Sequence, residues 1–200
     1  MNPLWVLSRA TGLVSLVLLT LVMVIGILVQ RQRRVGTLPR FVVVGLHRNA
    51  SLLGVAFVAV HVASVVYDPY VSIRWVDALV PFAGSYRPFW LGLGAVTLDL
   101  MLALVLTSLL RHRVPRRAWR AVHWAAYACW PVALAHGVGT GSDMTGRLGL
   151  GVAAACTATV AVAALWRIAA PTPTAPQQRA ARLMAELRAT SHSGRTKVGR

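Results

Sequence analysis

The sequence predicts an all-α membrane protein: a five-span transmembrane helical bundle with its N-terminus out and its C-terminus in. Three observations carry this. Of the 200 residues, 56% are hydrophobic and only 13% charged, too apolar for a soluble domain. The apolar residues come in five blocks, 10–30, 41–67, 89–110, 118–138 and 147–168, each of about twenty residues or more and so able to cross a bilayer. The positive charge lies in alternate connections between them.

That charge needs care, because a formal net charge of +16 would suggest nucleic acid in a soluble protein. Here Arg31, Arg33, Arg34 and Arg40 lie between the first two blocks, and Arg111, Arg113, Arg116, Arg117 and Arg120 between the third and fourth. The segment after the fifth adds Arg179, Arg182, Arg188, Arg195, Lys197 and Arg200. The two remaining connections hold Asp68, Asp77 and Asp143. The positive-inside rule makes the basic regions cytoplasmic. Anionic headgroups account for the charge without nucleic acid.

The first block is not read as a signal peptide: it has no basic n-region, a long apolar run and no small-residue cleavage site. Residues 1–168 form one membrane domain, and 169–200 a basic, Pro-rich, largely disordered cytoplasmic tail. The loop "DPYVSIRWVDALVPFAGSYRP" (68–88) reads as a structured interfacial segment, with Trp75, Tyr86 and Trp90 near headgroup level. In the tail, "QQRAARLMAELRATSH" has the pattern of a short basic amphipathic helix. Nothing after residue 170 is long enough to bind a flavin or nicotinamide.

The chemistry lies in the histidines. His112 and His192 fall in basic polar segments and read as solvated. His47 and His61 share the second block, and His123 and His136 the fourth. These two spans run in the same direction, because one span separates them. His47 and His123 therefore lie near the cytoplasmic ends, and His61 and His136 near the outer ends. The first two are fourteen residues apart, a rise of about 21 Å, and within about 40° of one face. The second two are thirteen apart, about 19.5 Å, but roughly 140° apart on a straight helix. Pro131 lies between them and removes a bond to the Tyr127 carbonyl, so a kink there is one way to absorb the mismatch.

Two facing pairs at two depths suit two haem groups, since histidine ligates haem iron axially through one ring nitrogen. Zinc or copper needs three or four ligands at one depth. A proton relay would use carboxylates, and only Asp99 lies deep in a span. That acid is a functional candidate or a protonated side chain bonded to a hydroxyl. Ala50, Ser51 and Gly54 leave room beside the histidines for a flat macrocycle, or for close helix packing. Arg9, Arg48 and Arg87, near the span ends, suit haem propionates or snorkelling to headgroups. Gly137 should end the helix after His136, in a stretch "HGVGTGSD" that is no dinucleotide fingerprint. Cys129 and Cys156 read as small buried hydrophobes.

The fourteen-then-thirteen spacing resembles the ferric reductase-like transmembrane domain shared by NADPH oxidases and iron reductases. "NPLWVLSRATGLVSLVLLTL" and "WRAVHWAAYACWPVALAHG" are similar to the haem-bearing membrane subunit of the bacterial periplasmic methionine-sulfoxide reductase system. The resemblance covers about residues 2–168. It implies two b-type haems, held by His47 with His123 and by His61 with His136, in a multi-pass protein of the bacterial plasma membrane. Five spans stand where that family commonly has six, and the oxidases' fused FAD and NADPH domain is absent. A diheme cytochrome of this kind would take electrons from a separate flavoprotein reductase or a quinol. It would pass them to an extracytoplasmic acceptor, as a reductase's membrane subunit. A non-redox transporter or assembly factor is the alternative.

Overall fold

A computed structural model describes residues 2–30, 39–141, 146–169 and 183–184. Every regular element among them is helical. They are α1 (Pro3–Gln30), α2 (Arg40–Val66), α3 (Trp75–Leu79), α4 (Pro88–Leu109), α5 (Arg116–Trp124), α6 (Ala126–Thr140) and α7 (Arg147–Ala169). The packing divides the chain into two compact units, Met1–Ala164 and Leu165–Arg200. All the residues discussed below as a site belong to the first. The tail helix expected around 177–192 and the arginines expected at 31, 33 and 34 lie outside the described residues, apart from Leu183 and Met184.

Among the described residues, four helices are long and apolar enough to cross a membrane: α1, α2, α4 and α7. In no case is more than 28% of the most apolar window buried within the protein. Large apolar side chains such as Leu52, Leu53, Val60, Leu102, Leu106 and Val162 point outward instead. Water would not tolerate so much apolar surface, whereas hydrocarbon does. The hydroxyls on these helices turn inward on their own backbone. Thr11, Ser15, Thr97 and Thr157 each bond the carbonyl four residues earlier, at 2.6, 2.7, 2.9 and 2.7 Å. Such bonds pair these hydroxyls without a partner from outside the helix.

The expected fourth span, 118–138, takes a different form. It is two helices, α5 of nine residues and α6 of fifteen, joined through Ala125. At the junction the ladder tightens: the Ala125 N–H donates to Val122 O at 2.9 Å, and the Ala128 N–H to Ala125 O at 3.0 Å. The break lies upstream of Pro131, which sits inside α6. Its location follows the composition. α5, "RRAWRAVHW", exposes Arg116, Arg117 and Arg120 and turns Trp119 and His123 inward. It is an amphipathic helix, whereas α6 is apolar throughout.

The helix starts follow local chemistry. Asn2 accepts the Leu4 N–H (3.1 Å) as an N-cap, with Pro3 at the first helical position. Its Nδ2 donates to Asp68 Oδ1 at 2.7 Å, tying the start of α1 to the end of α2. Pro39, Pro88 and Pro115 start α2, α4 and α5. The loop from Asp68 to Arg87 is ordered, as expected. Tyr67 and Trp75 meet edge to face at 5.9 Å, and Phe82, in the left-handed region at φ 64°, lies over Gly92 on α4. Side-chain volume at residue 92 would collide with that ring.

α6 is fixed between α1 and α4. Trp130 Nε1 donates to Thr20 Oγ1 at 2.8 Å, and Cys129 Sγ contacts Thr97 O at 3.7 Å. Leu16, Trp130, Ala153 and Cys156 form a buried cluster where α1, α6 and α7 meet. Both cysteines are free and buried, as expected.

One ion pair caps α3. Asp77 accepts the Arg74 backbone N–H at 3.0 Å and pairs with its guanidinium at 2.9 Å. The Arg74 side-chain bond, then the backbone bond, hold the Asp77 carboxyl below the usual carboxylate range. A depressed folded pKa adds stability above the unfolded value, about 3.9, that is lost as pH falls through the folded value. Asp77→Asn should therefore lower the thermal midpoint at pH 7, and the difference from wild type should close in strong acid. Midpoints measured across pH 2–7 check this.

Candidate redox site

The site is built from α1 and α2 on one side and α4, α5 and α6 on the other. α1 and α2 pack antiparallel in a register that sets Gly12 against His61 and Gly26 against His47. A Cβ on Gly12 would stand 3.0 Å from His61 Cε1, and one on Gly26 3.3 Å from His47 Cε1. α4 and α6 repeat the arrangement: a Cβ on Gly94 would stand 2.5 Å from His136 Cε1. Three of the four histidines thus enter the bundle against a glycine of a neighbouring helix.

The pair expected at the outer ends meets. The His61 and His136 rings have centroids 6.4 Å apart and planes 80° apart. His61 Nδ1 bonds Ser8 O at 2.8 Å, and His136 Nδ1 bonds Trp90 O at 2.8 Å. Only an N–H can pair with a carbonyl, so both rings carry their proton on Nδ1. Nε2 is then left with its lone pair, the atom that could coordinate a metal.

The inner pair is different. His47 and His123 line the same cavity, without a ring contact like that of His61 and His136. His123 stacks on Trp119 at 4.6 Å, and the Arg111 guanidinium covers that indole at 4.7 Å. Among the described residues, three buried side-chain nitrogens have no partner: His47 Nδ1, His123 Nδ1 and Trp119 Nε1. All three belong to residues at this one place. Buried polar atoms are nearly always paired, so three orphans together mark a site.

All four histidines line one cavity of about 1400 Å³. Single-ligand clefts run to about 300–1,000 Å³. Arg9 and Arg48 also line it, as do Arg111 and Arg120, which the sequence had not singled out. Arg9 stacks on Trp5 at 5.2 Å. Arg87 is elsewhere: it donates to Gly139 O at 2.9 Å and does not line the cavity. Asp99 is exposed on α4, again outside the lining. Gly54 lines the cavity and also faces Leu18 Cβ across α1, at 3.9 Å, so the macrocycle and packing readings share it.

One expectation fails. Gly137 does not end the helix: α6 runs on to Thr140, and the Gly141 N–H closes the last turn on Gly137 O at 2.9 Å. The extra turn is held from outside, because Trp90 packs directly on Gly139 while Arg87 takes its carbonyl.

Among the described residues, no three His, Cys, Asp or Glu side chains gather to hold a metal ion. Two nitrogens serve only a metal whose remaining ligands come with it. Two imidazoles each reaching one metal at about 2 Å put their ring centres roughly 6 Å apart. The outer pair fits that requirement.

The fold and the site define a multi-pass membrane protein with paired interior histidines. Residues 11–134 match the family described as the ferric reductase like transmembrane component, and the chain belongs to it. Membership points to a membrane redox component. The match includes His47, His61 and His123 and stops just short of His136. Comparison with curated proteins and with solved structures gives no match.

The position of α6, and so of His136, depends on the buried Trp130–Thr20 bond. Thr20→Val should strand the indole N–H and destabilise the protein by roughly 0.5–2 kcal/mol. Thermal unfolding in detergent, with Trp130→Phe as the partner of a double-mutant cycle, measures the coupling.

Proposed function

We propose that this chain is a diheme b-type cytochrome of the plasma membrane, the electron-carrying subunit of a reductase. His61 and His136 would hold the outer haem, and His47 and His123 the inner one. The observation that carries the reading is the outer pair, with ring centres 6.4 Å apart and both Nδ1 protons committed to backbone carbonyls. When bound, haem supplies reversible one-electron transfer at iron.

The chain's own groups supply the rest. The carbonyls of Ser8 and Trp90 hold the ring tautomers. Apolar helices exclude water from the cavity. Arg48, Arg111 and Arg120 at the inner end, with the unpaired Trp119 N–H, suit propionates; Arg9 suits them at the outer end. Arg87 serves instead as a tie between α4 and α6.

In this reading α5 and α6 together make the fifth crossing. The basic segments face the cytoplasm, with the N-terminus out and the C-terminus in. Electrons enter at the His47/His123 end from a separate flavoprotein or a quinol, and leave at the His61/His136 end to an extracytoplasmic acceptor. The matched order of the two pairs along α2 and α5–α6 supports a path through the bilayer.

Full-length protein made with ample haem should carry about two haems per chain, with split reduced α bands. His61→Ala and His136→Ala should each remove the same half of the spectrum, and His47→Ala and His123→Ala the other half. A haem-free protein, or four variants with unchanged spectra, would leave a non-redox membrane protein as the better reading. One haem that depends only on His61 and His136 would overturn the diheme part alone.

A further inference from the structure

The glycines opposite the histidines share a second feature. Ser8 lies four residues before Gly12, and Trp90 four before Gly94. In an α-helix the carbonyl at one position bonds the N–H four residues on, and both lie on one face. The Cβ at the later position tilts back toward the N-terminus, over that carbonyl. A side chain there crowds an incoming imidazole's approach to the carbonyl's second lone pair. Glycine clears the approach, and His61 and His136 use it at 2.8 Å each.

The inner positions depart from the pattern by degrees. Val22 precedes Gly26 by the same four residues, and its carbonyl stands beside His47, but outside good hydrogen-bond geometry for Nδ1. His123 stands thirteen residues before His136, and thirteen after Gly94 comes Thr107. That residue carries a side chain, and its own hydroxyl takes the Ala103 carbonyl at 2.6 Å. His123 Nδ1 is unpaired.

We propose that Gly12 and Gly94, each with the carbonyl four residues earlier, are positioning residues that fix the outer pair of imidazoles nearly at right angles for axial ligation. The proposal rests on the haem reading above. The two brackets lie on different helices, α1 and α4, so each sets its ring plane independently, and the planes stand 80° apart. The inner rings have no comparable pair of anchors. The outer site is therefore preset and the inner one adapts to its occupant.

Electron paramagnetic resonance reads this directly. Perpendicular axial imidazoles give low-spin ferric haem a strongly anisotropic signal with one large g value, whereas near-parallel rings give a rhombic spectrum. The full-length ferric protein should show the large-g signal, and His61→Ala or His136→Ala should remove it, which assigns it to the outer haem. Gly94→Ala, whose Cβ would meet His136 at 2.5 Å, should shift that signal toward the rhombic form or lose it to high spin. Gly12→Ala, at 3.0 Å from His61, should move it the same way by less. Gly151→Ala, with nothing within 4 Å, should leave it unchanged. A rhombic outer-haem spectrum in the wild type overturns the proposal. So does a Gly94→Ala protein with the wild-type signal; if that variant does not accumulate, an unchanged Gly12→Ala spectrum has the same force. Absence of haem from the wild type overturns the haem reading and this inference with it.

Discussion

A ring nitrogen inside an apolar bundle must find a partner, because neither lipid nor hydrocarbon side chains offer one. The bundle carries four imidazoles, and its packing is arranged around that requirement. For His61 and His136 the partner is a backbone carbonyl on a neighbouring helix. Carbonyls on helices are reachable only where the neighbour comes close. Close approach in turn fixes where glycine stands, and the glycines fix the register of α1 on α2 and of α4 on α6. The bonds from Trp130 to Thr20 and from Arg87 to Gly139 then hold α6 at the depth this register demands.

The two ends of the cavity solve the problem differently. At the outer end both Nδ1 atoms are satisfied by the protein. At the inner end the three unpaired nitrogens, His47 Nδ1, His123 Nδ1 and Trp119 Nε1, sit beside Arg111. One end satisfies its ring nitrogens with the protein's own carbonyls, and the other leaves them unpaired among basic side chains.

Much of this was legible in the sequence. The apolar blocks mark α1, α2, α4 and α7, because hydropathy reports lipid exposure directly. The histidine spacing gave the two depths, since rise per residue depends little on packing. Rotation does depend on it. The 140° mismatch assumed a straight helix, and the helix is interrupted at Ala125, a break that Pro131 suggested but did not locate. Gly12 and Gly26 are fourteen residues apart, the same step as His47 and His61, and that match was a readable signal of the pairing. Gly94 gave no such signal, because the position thirteen residues on, the step that separates His123 from His136, is Thr107 and not a glycine. The continuation of α6 beyond Gly137 depends on Trp90 and Arg87, contacts between distant residues that no local pattern encodes.

The junction at Ala125 also bears on how the protein enters the membrane. α6 has fifteen residues, a length of about 22 Å, short of the roughly 30 Å hydrocarbon core. Its extension, α5, carries three arginines and is a poor candidate for spontaneous burial. This segment therefore has little means of inserting alone. The surfaces that accept it, Thr20 on α1 and Thr97 and Trp90 on α4, all precede it in the chain and leave the ribosome first. The helix bearing His136 thus meets contact partners on α1 and α4 that are synthesised before it, and α7, packed on Trp130, after it.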